Sequence, residues 1–373
     1  MATNRRAIAS VFPLLLACVC VVPGGVPGVS AQPGGKYSVD QNWARLPAGA
    51  TWNGNTSWIA ADGKGQVVVL VRTAPHFRVF TRDGAFIKAF GDDGLFQSAH
   101  SVTIDPQGAL WLTDSAAHVV HKFSPDGRLL MTLGKKGVAG DNTSRDRFNQ
   151  PNHVAVAPNG DIYVSDGYVN ARVVHFSKDG QFARIIGGVK GSQPGQLQLP
   201  HGVALDSKGR ILVNDSDNQR VSVFDKDGSF VEAWPYPSRG GIAVAADDTV
   251  YVSDVNAGIV NVVKNGKRID SASADRAHGM DVDTDGSIYV SGASRMTVMK
   301  ITRGQGPAWC GHGSCSANPV DPGSPPDSLR KSDLNGRITV FGDRADQRWV
   351  RGLRSINEQT AFEANQGPLS SAP

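Results

Sequence analysis

A fifteen-residue unit recurs along the chain, and this repetition restricts the fold more than any other feature of the sequence. Residues 100–114 (HSVTIDPQGALWLTD), 152–166 (NHVAVAPNGDIYVSD) and 201–215 (HGVALDSKGRILVND) align without gaps. Three weaker copies bring the number to six: residues 57–71, 240–254 and 278–292. Repetition of this kind is typical of solenoids and propellers, in which each copy buries its apolar face against its neighbours.

Each copy has the pattern of a β-hairpin. An alternating apolar run leads into a polar turn such as Pro158-Asn159-Gly160, and a second run rich in Val, Ile, Tyr or Trp follows. Four copies continue into a third strand, such as residues 172–176, then into an Asp-Gly turn and a fourth strand. Four antiparallel strands in a repeat of about 40 to 50 residues are typical of a propeller blade. The sequence therefore predicts an all-β, six-bladed β-propeller.

The propeller is predicted to occupy residues 32–303. A ring of blades has to be closed, because an open blade edge would pair with other chains. The sixth copy lacks an obvious fourth strand, so we expect the N-terminal segment 36–46 to complete that blade. Residues 304–373 begin with a stretch rich in Gly, Pro and Ser, and we predict a loop-rich extension with one strand at residues 337–341.

Residues 1–31 have the composition of an export signal. Two arginines precede an apolar stretch, residues 7–22, and the small residues at 29–31 form a cleavage site. We therefore expect a secreted, periplasmic or cell-envelope protein. A lipoprotein box at residues 15–18 is the alternative, and it would make Cys18 a lipid anchor. No run after the signal is long and apolar enough to predict a transmembrane segment.

The charge balance gives no reason to expect nucleic acid as a partner. The chain has 38 Lys and Arg against 34 Asp and Glu, and two of the arginines lie in the signal. Such a balance does not indicate the basic surface that a phosphate backbone requires. Beyond the signal only Cys310 and Cys315 remain, and in an exported protein they predict a small disulfide loop. A metal site with His312 is the alternative, although it offers only three ligands.

The first residue of each copy is predicted to lie at one rim of the central channel, because the innermost strand of a propeller blade lines that channel. In chain order these rim residues are Ser57, His100, Asn152, His201, Gly240 and His278. Histidine occupies every second blade, and alternate blades of six are about 120° apart. We therefore expect a three-histidine metal site with open positions on the axis, as catalytic zinc requires. The alternative is that histidine is simply favoured at strand entry.

Residues just after the second strand of a hairpin lie on the same face of the propeller as the rim residues, because the two strands run antiparallel. Arg72, Tyr168 and Ser216 occupy such positions. Near a metal ion a phenol can lose its proton and act as a base, and a guanidinium can orient a carboxylate. His153 lies one residue out of register with the rim histidines, so we expect it to point away from the axis and to be structural.

These residues also carry a family resemblance, which covers roughly residues 40–302. The copies resemble NHL repeats, and their arrangement resembles the peptidyl-α-hydroxyglycine α-amidating lyases. The most specific segment is SDGYVNAR at 165–172. Further matching positions are His100, FNQP at 148–151 and LPH at 199–201.

The resemblance implies a lyase that splits a carbinolamide into a peptide amide and glyoxylate, with zinc as cofactor. By position it implies that Tyr168 is the base and that Arg72 binds the substrate. It assigns zinc to three histidines: His100, His201 and His278.

The family's cysteines beside Phe148 and Tyr168 are replaced here by Asn149 and Val169, and two further departures concern substrate and calcium binding. Ser216 stands where the family has a second substrate-binding arginine, so we expect weak binding of the substrate carboxylate there. Gly279 stands where the family has an aspartate that helps to bind calcium. This change argues against calcium on the axis, although the carbonyl groups of Ile59 and Val102 keep their places.

The sequence thus favours an exported, metal-dependent C–N lyase that acts on a small-molecule or peptide N-acyl-α-hydroxyglycine. Two alternatives remain open. One is a non-catalytic NHL-repeat propeller that binds a peptide, a glycan or an envelope protein, because propellers host many unrelated functions. The other is a calcium-dependent, lactonase-like hydrolase, which needs acidic or amide ligands on the axis, where the rim offers only Asn152.

Overall fold

The computed structural model of the protein describes residues 36–92, 94–292 and 296–304. Among these residues no helix is long and apolar enough to cross a membrane. Several sequence predictions lie outside the described residues: the export signal at 1–31, the Cys18 anchor, the Cys310 and Cys315 pair, and the strand at 337–341.

The described residues form six four-stranded antiparallel sheets, which are the blades of a propeller. The first strand of the chain is β1 (Tyr37–Asp40). Blade 1 contains β2 (Thr56–Ala61), β3 (Gln66–Val71), β4 (Phe77–Thr81) and β5 (Phe86–Phe90). Blade 2 contains β6 (Ala99–Ile104), β7 (Leu110–Asp114), β8 (Val119–Phe123) and β9 (Leu129–Gly134). Blade 3 contains β10 (His153–Val156), β11 (Ile162–Asp166), β12 (Arg172–Phe176) and β13 (Phe182–Gly187).

The second half of the ring has the same strand order. Blade 4 contains β14 (Pro200–Leu205), β15 (Ile211–Asp215), β16 (Arg220–Phe224) and β17 (Phe230–Trp234). Blade 5 contains β18 (Ile242–Val244), β19 (Val250–Asp254), β20 (Ile259–Lys264) and β21 (Lys267–Ser273). Blade 6 contains β22 (Ala277–Val282), β23 (Ile288–Gly292), β24 (Val298–Arg303) and β1. A short 3-10 turn follows β15 at Ser216–Asn218.

Blade 6 is completed by the strand that comes first in the chain. β1 pairs antiparallel with β24, so that Tyr37 lies opposite Arg303 and Asp40 lies opposite Lys300. The prediction that an N-terminal strand completes the sixth blade is confirmed, as is the all-β, six-bladed fold. Backbone hydrogen bonds between the two strands therefore join the start of the ring to its end.

The core lies between the blades. The second strands β7, β11 and β15 are buried along their whole length, whereas outermost strands such as β5 are largely exposed. Apolar clusters connect neighbouring blades, and one of them joins Trp111 of blade 2 to Val154 of blade 3. The inner strands carry apolar residues on both faces, because each of them is covered by a neighbouring blade on either side.

A repeated aspartate holds the segment that leads into a blade. Asp114, the last residue of β7, accepts hydrogen bonds at 2.8 Å from the backbone N–H groups of Gln97 and Ser98. Asp166, the last residue of β11, accepts one at 2.8 Å from the N–H of Asn149. In both cases the donors lie just before the first strand of the same blade. The aspartate that ends the repeat motif therefore holds the segment that leads to the rim residue of its own blade.

Asp281 connects the first strand of blade 6 to that of blade 1. Its Oδ2 accepts a hydrogen bond at 2.9 Å from the N–H of Ala61, and its Oδ1 accepts one at 2.8 Å from the N–H of Val282. Burial raises the pKa of the Asp281 carboxyl to about 6. The folded protein therefore binds a proton at this group more tightly than the unfolded chain does.

Stability should depend on pH through Asp281. Protonation stabilises the folded state fully below the ordinary pKa of 3.8, and this stabilisation is lost as the pH rises through about 6. Asp281→Asn keeps an oxygen acceptor for Ala61 without a charge, so at pH 8 it should be more stable than wild type by about 1–3 kcal/mol. Urea unfolding at pH 5 and pH 8 measures this difference, with Asp179→Asn on an exposed turn as the control. Equal pH dependence in wild type and Asp281→Asn contradicts it.

Candidate metal centre

The three rim histidines lie at β-bulges. In blade 2 the two neighbours of His100 pair with consecutive residues of β7, so His100 itself has no partner across the ladder. The register of the strand pair shifts in the same way around His201 and around His278. A bulge inserts one extra residue and turns its side chain out of the regular alternation. The repeat pattern predicts these histidines just before the strand, whereas the structure has them inside it, in the second position.

The histidine rings are oriented by rim residues of the blades between them. Each Nδ1 lies within hydrogen-bond distance of a backbone carbonyl oxygen on the next blade: His100 to Asn152 at 2.7 Å, His201 to Gly240 at 3.3 Å and His278 to Ser57 at 3.0 Å. A carbonyl oxygen only accepts, so Nδ1 carries the hydrogen and Nε2 keeps its lone pair. Blades 1, 3 and 5 thus supply the carbonyl groups that orient the histidines of blades 2, 4 and 6.

The three imidazoles form a nearly equilateral cluster. The ring centroids are 5.2 Å apart for His100 and His201, 5.1 Å for His100 and His278, and 4.9 Å for His201 and His278. All three residues are buried, and one nitrogen of each lies within 4.8 Å of the other two. Within the described residues this is the one group of three ligand-type side chains with the spacing of a metal site.

The surroundings of His100 and His278 favour the neutral form of their imidazoles. Burial lowers the pKa of His100 and of His278 well below 6.5, and the neighbouring imidazoles and the Arg72 guanidinium lower it further. A neutral imidazole is the form that binds a metal, and a carbonyl partner on Nδ1 fixes the tautomer that exposes Nε2. Three such nitrogens fit a divalent transition metal and leave at least one coordination position for another group.

Tyr168 reaches the cluster from the loop after β11. Its Oη is 2.7 Å from Nε2 of His100 and 3.4 Å from Nε2 of His201. This approach depends on Gly167, because a Cβ there would lie 2.0 Å from the carbonyl oxygen of Pro200. The segment that carries the family resemblance therefore brings a phenol into contact with two of the histidines.

Arg72 provides a positive charge near the cluster. It is partly buried, its Nη1 is 3.4 Å from Oγ of Ser98, and its charge contributes to the lowered pKa of His100 and His278. The guanidinium is thus close enough to act on the same space as the imidazoles. This arrangement suits recognition of an anionic group next to the cluster.

Ser216 begins the 3-10 turn after β15 and is 3% exposed. Its Oγ is buried and has no hydrogen-bond partner among the described residues. Its neighbour Asp217 forms a salt bridge of 3.0 Å with Arg239. Unlike Tyr168, Ser216 therefore has no hydrogen bond to the histidines in the part of the chain that the structure describes.

Two neighbours of the cluster differ from the sequence expectations. The ring of Trp58, for which the repeat pattern predicts no role at the site, has its centroid between 5.4 and 5.9 Å from those of all three histidine rings. The prediction that His153 points away from the axis is wrong, because its ring stacks on Trp58 at 4.6 Å. In the repeat, His153 occupies the position after the rim residue Asn152, which in blade 1 belongs to Trp58.

The sequence comparisons agree with the repeats and the fold. The family model "NHL repeat" matches residues 148–176 and 197–224. Human "NHL repeat-containing protein 3" is 33% identical over 213 residues, which are 53% of this chain and 59% of that protein. A Caenorhabditis elegans protein named "probable peptidyl-alpha-hydroxyglycine alpha-amidating lyase" is 38% identical over 149 residues, 39% of this chain and 42% of that protein. The chain thus spans about half the length of these curated relatives.

Among solved structures, that of a streptogramin B lyase has a TM-score of 0.51 at 13% sequence identity, over 71% of this chain and 97% of that chain. At this identity the likeness shows the fold alone. The protein is a six-bladed β-propeller that contains NHL repeats and has three buried histidines in the arrangement of a metal site. It is similar in sequence to proteins named as amidating lyases, which confirms the predicted resemblance.

Metal content should depend on the rim histidines. We expect one divalent metal ion per chain in the wild type and little or none in His201→Ala, since two imidazoles hold a metal far more weakly than three. His121→Ala, on the outer strand β8, is the control and should keep the metal. Inductively coupled plasma mass spectrometry after dialysis measures the stoichiometry. Equal metal content in wild type and His201→Ala contradicts a site at these residues.

Proposed function

We propose that this protein is an exported, zinc-dependent lyase that cleaves N-acyl-α-hydroxyglycines and similar carbinolamides into an amide and glyoxylate. The contact between Tyr168 and the histidine cluster carries the proposal, because Oη lies 2.7 Å from Nε2 of His100. An ionisable hydroxyl thus adjoins nitrogens that can hold a metal ion. The similarity to proteins named as peptidyl-α-hydroxyglycine α-amidating lyases, at 36% and 38% identity, supports the reaction class.

The donor set favours zinc. Catalytic zinc sites keep three protein ligands and an open position, and imidazole nitrogens at about 2.0–2.1 Å are common among them. Nε2 of each rim histidine would hold the ion, since each Nδ1 is engaged by a carbonyl oxygen. When bound, zinc supplies a Lewis acid that stabilises negative charge on a substrate oxygen.

Tyr168 is the general base in this proposal. Removal of the proton from the α-hydroxyl allows its oxygen to form the aldehyde carbonyl of glyoxylate while the C–N bond breaks. The bonding electron pair leaves with the nitrogen, which takes up a proton and becomes the amide. A phenolic oxygen at hydrogen-bond distance from the reacting hydroxyl can accept the first proton and return one to the nitrogen. No oxidant or reductant is needed.

Arg72 binds the substrate carboxylate in this proposal. A guanidinium can hold a carboxylate through two parallel hydrogen bonds, which orients the α-carbon next to it. Arg72 is partly buried, and its charge acts on His100 and His278. Ser216 carries no charge, so Arg72 would bind the carboxylate without the second arginine that the family resemblance implies.

A second candidate function is peptide binding without catalysis. Human NHL repeat-containing protein 3, which is 33% identical to this chain over 213 residues, has a name that states no enzymatic activity. The neutral Ser216 in place of a second arginine also favours this alternative. The face with the rim histidines would then bind a partner, and the cluster would serve structure alone.

Tyr168→Phe should lower the release of glyoxylate from α-hydroxyhippurate by about 10²- to 10⁴-fold, because it removes the proposed base. Its zinc content should stay at the wild-type level, since Tyr168 is not proposed as a ligand. Tyr163→Phe, in the preceding strand of the same blade, is the matched control and should keep its activity. A colorimetric glyoxylate assay measures the turnover.

Two results of this experiment would contradict the proposal. Wild-type turnover in Tyr168→Phe would exclude the phenol as the base. A zinc-loaded wild type that releases no glyoxylate above background would reject the lyase and favour the binding function.

Arg72→Ala should raise KM for α-hydroxyhippurate by about 10- to 100-fold with a smaller change in kcat, because a charged hydrogen bond to the carboxylate is lost. Ser216→Arg should lower KM if the substrate carboxylate lies within its reach. Arg210→Ala, on a turn between the first two strands of blade 4, is the control and should behave as wild type. Steady-state kinetics separate the two parameters, and an unchanged KM in Arg72→Ala rules out the assigned role.

A further inference from the structure

The position that follows each rim residue differs sharply between the two halves of the ring. In blades 1 to 3 this position is occupied by Trp58, Ser101 and His153. In blades 4 to 6 it is always glycine, at Gly202, Gly241 and Gly279. At Gly279 a Cβ would lie 2.5 Å from Cα of Trp58, which is closer than any real contact. The glycines of blades 4 to 6 therefore leave space at the centre of the channel, which the large side chains of Trp58 and His153 fill.

Trp58 fills this space directly against the histidine cluster. It is 1% exposed, and its ring centroid lies 5.9 Å from His100, 5.9 Å from His201 and 5.4 Å from His278. Trp58 lies on the inner strand β2, whereas Tyr168 lies in the loop after β11. One aromatic residue thus contacts all three proposed ligands.

His153 holds the indole in place. Its ring stacks on Trp58 with an interplanar angle of 28°. Its Nδ1 is 3.1 Å from the carbonyl oxygen of Val203, and its Nε2 is 3.2 Å from Oγ1 of Thr103. Both ring nitrogens are therefore engaged by the neighbouring blades, which fixes the ring and removes it from the set of metal ligands.

A cavity of about 530 Å³ lies on the other side of this pair. Trp58 and His153 belong to its lining, together with residues of the inner strands such as Val102 and Val203. The same two rings therefore border the cavity on one side and, through Trp58, the histidine cluster on the other. They form the boundary between the lower channel and the metal centre.

We propose that the stacked rings of Trp58 and His153, here called the axial plug, position the three histidines for metal binding and close the centre to water from the lower cavity. A ligand set binds more tightly when its supporting residues are packed, and excluding water strengthens the interactions of a bound ion. Both residues are positioning residues. The inference rests on the proposed metal centre and is independent of the lyase reaction.

The metal affinity tests the plug. Trp58→Leu should weaken zinc binding by about 10- to 100-fold, whereas Trp58→Phe, which keeps a ring for the stack, should stay within about threefold of wild type. Trp111→Leu is the matched control, because Trp111 is also 1% exposed but packs between blades 2 and 3. Competition with a chromophoric chelator measures Kd, and circular dichroism checks that each variant is folded. Equal Kd values for Trp58→Leu and Trp111→Leu overturn the proposal.

A second measurement does not need the metal. Diethylpyrocarbonate should modify His100, His201 and His278 faster in metal-free Trp58→Leu than in metal-free wild type, because water and reagent then enter from the lower cavity. Peptide mass spectrometry gives the rate for each histidine, and Trp111→Leu again serves as control. Equal rates in all three proteins overturn the plug even if the wild type binds no zinc, a result that would separately reject the metal centre.

Discussion

The candidate site depends on one interaction that is repeated three times, the hydrogen bond from a histidine Nδ1 to a rim carbonyl oxygen of the next blade. It decides the tautomer, because only Nδ1–H can donate to a carbonyl, and it aims Nε2 at the axis. Each bond crosses from one blade to its neighbour, and that of His278 crosses from blade 6 to Ser57 of blade 1. The site therefore requires a closed ring, and pairing of β1 with β24 closes it.

Around this triangle the chain combines groups of different kinds. Burial favours the neutral form of His100 and His278, whose pKa values are lowered well below 6.5. Tyr168 adds a hydroxyl at hydrogen-bond distance, and Trp58 adds an apolar surface. Three buried histidines that each offer one nitrogen within 4.8 Å of the other two could hold a metal ion.

Much of this architecture is predictable from the repeat, because six aligned hairpins define six blades and give the rim residue of each. The direction of individual side chains is harder to predict, because it changes when the strand is shifted by one residue. A shift of one position reverses the direction of a strand side chain, and β-bulges at His100 and His278 introduce such a shift. Simple alternation along the strand predicts that the His153 side chain points away from the axis, whereas its ring stacks on Trp58. Glycine at the equivalent positions of blades 4 to 6 is the sequence signal for a filled channel, whereas the burial of Ser216 depends on a turn that no repeat specifies.

Anomalous X-ray diffraction at the zinc absorption edge, from crystals of the protein grown with zinc, tests the central claim most directly. A metal centre at the rim histidines predicts one strong peak on the propeller axis, about 2.0–2.1 Å from Nε2 of His100, His201 and His278. Each Nδ1 should still lie within hydrogen-bond distance of its carbonyl oxygen. No peak at this position, or a peak bound through Nδ1, would contradict the claim.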